Sequence, residues 1–166
     1  MVSRPVPDPV APGQESVWDF PRPPALRSSD ELVSVVLGGV EICETRRSLL
    51  VLETSHPPTY YVPRSEFRVP LMPSPRLTVC EWKGEACYVD LHVPGVAPLR
   101  EVGWWYPQPE LRYPQLTDRA AVYAGRFDEV TLDDEPVTPQ PGEFYGGWIT
   151  AGIVGPFKGV PGSWGW

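Results

Sequence analysis

Histidine and cysteine are scarce in this chain of 166 residues, with two His and three Cys. The cysteines, Cys43, Cys80 and Cys87, are odd in number and contain no Cys-x-x-Cys. That fits reduced thiols in a cytoplasm better than a disulfide framework. It also excludes zinc-ligand spacing, so no metal site is expected. Positive charge is scarce as well: 14 Lys and Arg face 21 Asp and Glu, for a net charge of −7. A nucleic-acid binder carries a basic face for phosphate contacts. The acidic excess therefore argues against a nucleic-acid partner and against an anionic membrane surface, although Arg46-Arg47 is a small anion-sized patch. No apolar run reaches membrane-spanning length. The start, Met1-Val2-Ser3-Arg4-Pro5, lacks the apolar region of a signal peptide.

Several motifs are missing too. There is no Gly-x-x-x-x-Gly-Lys-Ser/Thr phosphate loop, no Gly-x-Gly-x-x-Gly and no Gly-x-Ser-x-Gly nucleophile elbow. No Gly-Ser is followed by paired aspartates on a strand, and Asp133-Asp134 falls in a turn. No cofactor is expected.

What is plentiful is proline (23), glycine (15), tryptophan (7) and tyrosine (7). The length suits one domain with its own core. Residues 1–15 carry Pro5, Pro7, Pro9 and Pro12 and predict a disordered tail. Residues 16–140 predict a single β domain. Leu32–Leu37 and Val40–Thr45 form a hairpin across Gly38-Gly39. Leu49-Leu50-Val51-Leu52 reads as a central strand buried on both faces, and Tyr60-Tyr61-Val62 as a short strand ended by Pro63. Leu77–Trp82 and Ala86–Val93 form the clearest hairpin, and Glu101–Tyr106 another strand. Ala120–Tyr123 and Phe127–Leu132 are expected to pair across Ala124-Gly125-Arg126. Short helices are expected at Ser65-Glu66-Phe67 and within Pro109–Asp118. Such short strands at short spacing predict a mainly β fold of antiparallel coiled sheets or a barrel. Residues 141–166 form a Gly-rich, aromatic arm. Leaving its aromatics in water is costly, so it should pack on its own domain or on a partner subunit of a homodimer.

Four segments together resemble the family known as domain of unknown function 427. They are Val51-Leu52-Glu53-Thr54-Ser55-His56-Pro57-Pro58-Thr59-Tyr60-Tyr61, Trp82-Lys83-Gly84-Glu85-Ala86, Trp104-Trp105-Tyr106-Pro107 and Val122-Tyr123-Ala124-Gly125-Arg126. The resemblance spans Glu31 to Val137. The Trp18 region and Tyr145-Gly146-Gly147-Trp148 are similar to those of actinobacterial members. The resemblance implies a compact β fold of the Mss4-like, or β-tent, kind in a bacterial cytoplasmic protein. It supplies no reaction, though the family sometimes carries a nucleotidyltransferase label. Ala124 departs from a common proline.

Glu53 ends a strand that should be buried, where a carboxylate is either paired or shifted in pKa. His56 follows at the turn before Pro57-Pro58 and titrates near neutrality. The two form a candidate acid–base unit; the plain alternative is that Glu53 accepts turn amides and His56 fills a structural niche. Lys83 is a candidate anion binder or base, or else a solvated hairpin tip. Tyr60, Tyr61, Trp82, Trp104, Tyr106 and Tyr123 are candidate walls of a substrate pocket, against ordinary aromatic core. Strand alternation puts Trp104 and Tyr106 on one face and Trp105 on the other. Arg126 is a candidate anion contact or a solvated turn residue.

Three functions remain open. The first is a cofactor-independent enzyme acting on a small organic molecule, of isomerase, cyclase or lyase type, with Glu53 and His56 moving protons. The second is a non-catalytic module binding a metabolite or peptide. The third is nucleotidyl transfer, against which the missing motifs count and which predicts magnesium-dependent nucleotide binding.

Overall fold

The computed structural model describes residues 3–166. Its strands in chain order are β1 (Glu15–Ser16), β2 (Ala25–Ser29), β3 (Val33–Leu37), β4 (Val40–Thr45), β5 (Ser48–Leu52), β6 (Thr59–Pro63), β7 (Leu71–Cys80), β8 (Gly84–Leu91), β9 (Leu99–Trp105), β10 (Arg119–Val122), β11 (Glu129–Leu132), β12 (Glu135–Pro136), β13 (Thr138–Pro139), β14 (Trp148–Ile149) and β15 (Ile153–Val154). A seven-stranded sheet runs β2-β5-β6-β10-β9-β8-β7, and a four-stranded sheet runs β12-β11-β3-β4. Every pairing in these two sheets is antiparallel. The protein is mainly β, and neither sheet closes into a barrel.

Local sequence explains the hairpins. Gly38 (φ 60°) and Gly39 (φ 75°) hold the two left-handed positions of a two-residue turn, and Leu37 faces Val40 across it. A Cβ on Gly38 would also stand 2.4 Å from Val96 Cγ2. β5 is buried at all five positions, as its unbroken apolar run predicts, because β2 and β6 flank it and both faces are covered.

The large sheet divides its side chains by the period of two. One face carries Leu50, Leu52, Tyr60, Val62, Ala120 and Val122 and packs on Val33, Val35 and Ile42 of the small sheet. The other face carries Leu49, Val51, Tyr61, Tyr88, Trp104 and Ala121. Trp105 lies on the first side, with the Arg64 guanidinium 3.7 Å from its ring centre.

The sheet is strongly coiled. Five strand spacings separate β5 from β7, which in a flat sheet is about 24 Å. Yet Val51 of β5 and Cys80 of β7 line one cavity of about 260 Å³.

One expectation needs correction, the pairing of β10 with β11; the expected short helices are present as single turns. The helical segments among the described residues are all three-residue 3-10 turns, including Arg64–Glu66 and Pro114–Leu116. Neither of those two has a side-chain cap, and proline at Pro63 and Pro114 limits extension. β10 and β11 do not pair with each other. β10 already has β6 and β9 on its two edges, and β11 has β3 and β12. The turn Ala124–Arg126 passes the chain from one sheet to the other, where Asp128 N donates to Val36 O at 3.0 Å. Cys80 and Cys87 do not face one another: Cys80 pairs with Gly84 and Cys87 with Leu77. All three thiols are free.

The ends of the chain meet. β1 pairs in parallel with β15, and Asp8 N donates to Gly155 O at 2.8 Å. Within the arm, β14 pairs with β13, and Trp148 is buried, stacked on Tyr60 at 5.0 Å. No helix among the described residues is long and apolar enough to cross a membrane.

Candidate active site

Where β5 ends, the backbone turns back through Glu53-Thr54-Ser55-His56, closed by His56 N donating to Glu53 O at 3.0 Å. Ser55 sits at φ 73°, at a turn position that ordinarily takes Gly or Asn. A serine there costs on the order of 1 kcal/mol and needs surrounding structure to hold it. Ser55 is fully buried, its N–H donates to Val17 O at 3.0 Å, and its carbonyl accepts from Lys158 N at 2.9 Å. The result of this strained turn is chemical: Glu53 Oε2 comes within 3.1 Å of His56 Nε2.

A hydrogen-bond chain assigns the proton on His56. Gly147 N donates to Gln140 Oε1 at 3.0 Å, so the other end of that amide is its NH2 group. Gln140 Nε2 donates to Lys158 O at 2.9 Å and lies 3.0 Å from His56 Nδ1. Nδ1 must therefore accept, which leaves the ring proton on Nε2, aimed at the Glu53 carboxylate. Protonating Nδ1 would set N–H against N–H. Burial pushes the His56 pKa down and the charges of Lys158 and Arg22 push the same way, outweighing the pull of Glu53. His56 is thus a neutral donor. Burial raises the Glu53 pKa, but the hydrogen bond from His56 and the charges of Lys83 and Arg22 bring it below the ordinary 4.5. Arg22 approaches Glu53 Oε2 from behind at 3.5 Å and anchors the turn through Thr54 O at 2.8 Å.

Both residues open onto the cavity on the second face of the large sheet. Tyr61, Trp82, Lys83, Trp104, Tyr106 and Tyr123 line it as well. Trp104 Nε1 donates to Tyr61 OH at 3.1 Å, and the Tyr123 ring lies 4.8 Å from Trp104. Burial raises the phenol pKa values of Tyr61, Tyr106 and Tyr123, so these walls are uncharged near neutrality. Lys83 is half-buried at the tip of the β7–β8 hairpin, 5.9 Å from the Tyr106 ring centre. Burial opposes its charge, but its surroundings, the Glu53 carboxylate among them, carry its pKa above the usual lysine value. It is an ammonium here, not a base.

Two residues expected at the site lie elsewhere. Tyr60 points to the opposite face, as strand alternation demands once Tyr61 faces the cavity. Its hydroxyl donates to Glu31 Oε1 at 2.8 Å. Arg126 is exposed and donates to Arg100 O at 3.0 Å.

The sequence reading missed Gln140, Tyr145 and Lys158. The Tyr145 ring meets His56 edge-on at 4.7 Å, and Lys158 Nζ is 5.6 Å from the Tyr145 ring. Gly146 and Gly147 let the arm come this close: a Cβ would stand 2.2 Å from Trp104 and 2.5 Å from Pro57 O, respectively. One signal was present, since Lys158 is the single cation of residues 141–166. Among the described residues no three His, Cys, Asp or Glu side chains converge to hold a metal.

The fold and site define a mainly β protein of coiled antiparallel sheets with one polar, aromatic-walled cavity on the large sheet. Residues 25–133 match the family model described as Domain of unknown function (DUF427), and the chain belongs to that family. No curated protein matches the chain. Glu53, His56 and Lys83 lie within the matched span, whereas Gln140, Tyr145 and Lys158 lie beyond it.

Proposed function

We propose that this protein is a cofactor-independent enzyme that moves a proton on a small organic molecule, in an isomerisation, cyclisation or elimination. The observation that carries the reading is the ionised Glu53 carboxylate, oriented by the His56 Nε2–H and presented to an aromatic cavity. Glu53 takes a proton from the substrate, and the electron pair left behind moves to an oxygen or a leaving group. The Lys83 ammonium and the neutral phenols of Tyr61 and Tyr106 supply positive charge and donors for the oxygen that becomes negative. Glu53, now protonated, returns the proton to a second atom in an isomerisation or cyclisation. His56 transfers no proton in this scheme. It holds the carboxylate in place, which modifies the simpler expectation that both residues shuttle protons.

The context is part of the proposal. Three free thiols and an acidic composition suit a bacterial cytoplasm, and the coiled sheets are of the Mss4-like, β-tent kind. The arm acts as the roof of the cavity; a homodimer in solution would assign it a second role. Nucleotidyl transfer is disfavoured by the absence, among the described residues, of a convergent acidic set for magnesium.

Turnover by Glu53→Gln tests the reading. General-base chemistry is worth about 10²–10⁴-fold, so the variant, folded by circular dichroism, is expected to lose at least about 100-fold in kcat. A folded Glu53→Gln protein with full turnover would favour the binding-module alternative.

A further inference from the structure

We infer that the cavity takes a small organic monoanion, a carboxylate on a flat apolar body, with its anionic oxygen on the Lys83 ammonium. This deepens the enzymatic reading by naming a substrate class, and it rests on that reading only for the orientation of the ligand.

The chain has twelve arginines and two lysines. No arginine lines the cavity, whereas both lysines do. A lysine presents one compact charge to one oxygen, whereas an arginine fork clamps two. The two lysines differ in what they already hold. Lys158 Nζ donates to Trp166 O at 3.2 Å. Lys83 Nζ donates to no oxygen among the described residues and has no carboxylate within ion-pairing distance. Its nearest aromatic face is Tyr106. A half-buried ammonium with no oxygen partner, facing an open cavity, is half of a charge-assisted hydrogen bond.

The rest of the wall limits the other half. Glu53 is matched by His56 and Arg22 from its own side. A ligand therefore meets one unmatched cation beside a carboxylate, and Glu81 adds a second negative group to the lining. That field favours a single negative charge over two. Trp104, Tyr123 and Tyr106 offer apolar faces for a flat body. At about 260 Å³ the cavity lies just below the usual range of about 300–1,000 Å³ for ligand sites, which calls for a small ligand.

Benzoate and cinnamate, each beside its neutral amide, are suitable probes. They are titrated against the full chain at neutral pH with amide ¹H–¹⁵N spectra and calorimetry. Both carboxylates are expected to bind saturably, at least about tenfold more tightly than benzamide and cinnamamide, the value of one hydrogen bond to a charged group. Inorganic phosphate is expected to bind more weakly than benzoate. Lys83→Met should abolish the preference for carboxylate, and Glu53→Gln should increase carboxylate affinity by removing a repelling charge. Equal binding of acid and amide, no saturable carboxylate binding, tighter binding of phosphate, or an unchanged preference in Lys83→Met overturns the proposal. If Lys83→Met does not fold, the wild-type comparison of acid with amide still decides. Binding is read without turnover, so a failed anion site leaves the Glu53 kinetic test standing, and the reverse holds too.

Discussion

The two faces of the seven-stranded sheet are made by the same strands and have opposite characters. One is packed against the small sheet by Leu50, Leu52, Val62 and Val122, a dry aliphatic layer with Tyr60 and Trp148 stacked at its edge. The other carries Tyr61, Tyr88, Trp104 and Tyr106 around a cavity that also holds two carboxylates, an imidazole and two ammonium groups. Neighbouring residues separate the roles: Tyr60 from Tyr61, and Trp105 from Trp104. The first face has a second sheet to cover it. The second is covered by the curl of the β7–β8 hairpin, by Tyr113 and Leu116 of the segment after β9 and by the arm, which together leave a cavity. Close packing and cavity lining are therefore divided at intervals of one residue, and substitutions should sort by face.

The largest effect is expected on the dry face. Trp148→Ala removes a buried indole that stacks on Tyr60 and donates from Nε1 to Val122 O at 3.2 Å. Urea denaturation should show a loss of about 3–5 kcal/mol. A loss under 1 kcal/mol would mean that the arm is peripheral to the core.

The cavity face should reveal itself through pH. The folded protein holds His56 neutral, with its pKa below the ordinary 6.5, so the unfolded chain binds a proton that the folded one refuses. Stability present above pH 6.5 is then lost as pH falls toward the folded value. Glu53, with its pKa below 4.5, adds a second loss as pH falls through its own folded value. The melting temperature should decline from pH 7 toward pH 4, and His56→Asn should flatten the upper part of that decline. A wild-type melting temperature that rises on acidification contradicts the neutral His56.

The smallest and sharpest comparison uses adjacent tyrosines. Tyr60→Phe loses the bond to Glu31, and Tyr61→Phe loses the acceptor for Trp104 Nε1. Each should cost about 1 kcal/mol. Only Tyr61→Phe should alter benzoate affinity in the titration, because Tyr60 faces away from the cavity. Equal effects on affinity would erase the division between faces.

Much of this was legible in the sequence. The Gly38-Gly39 turn, the all-apolar β5 and the alternation around Trp104-Trp105 are local properties with direct backbone consequences. The Glu53–His56 pair was also legible, since both residues bracket one turn. Lys83 was visible as a residue but not as a wall of the cavity, because a hairpin tip meets the opposite strand only when the sheet coils. Arg22, Gln140, Tyr145 and Lys158 were not legible. Gln140 lies 84 residues from the histidine whose proton it assigns, and nothing in a Pro-Gln-Pro segment records that contact. The crossing of β10 and β11 into different sheets was missed for a similar reason. Two short apolar strands with a turn between them look alike whether they pair together or elsewhere.

By itself the sequence determined that the chain would form short antiparallel strands, that each would have two distinct faces, and that an acid and an imidazole would share a turn. Backbone sterics and the two-residue period act over a few residues, so these follow locally. The tertiary structure decided which face would be sealed and which would hold a cavity, which proton His56 carries, and which of two neighbouring tyrosines faces that cavity. Those depend on what covers each face, and coverage is settled only when segments distant in the chain pack together.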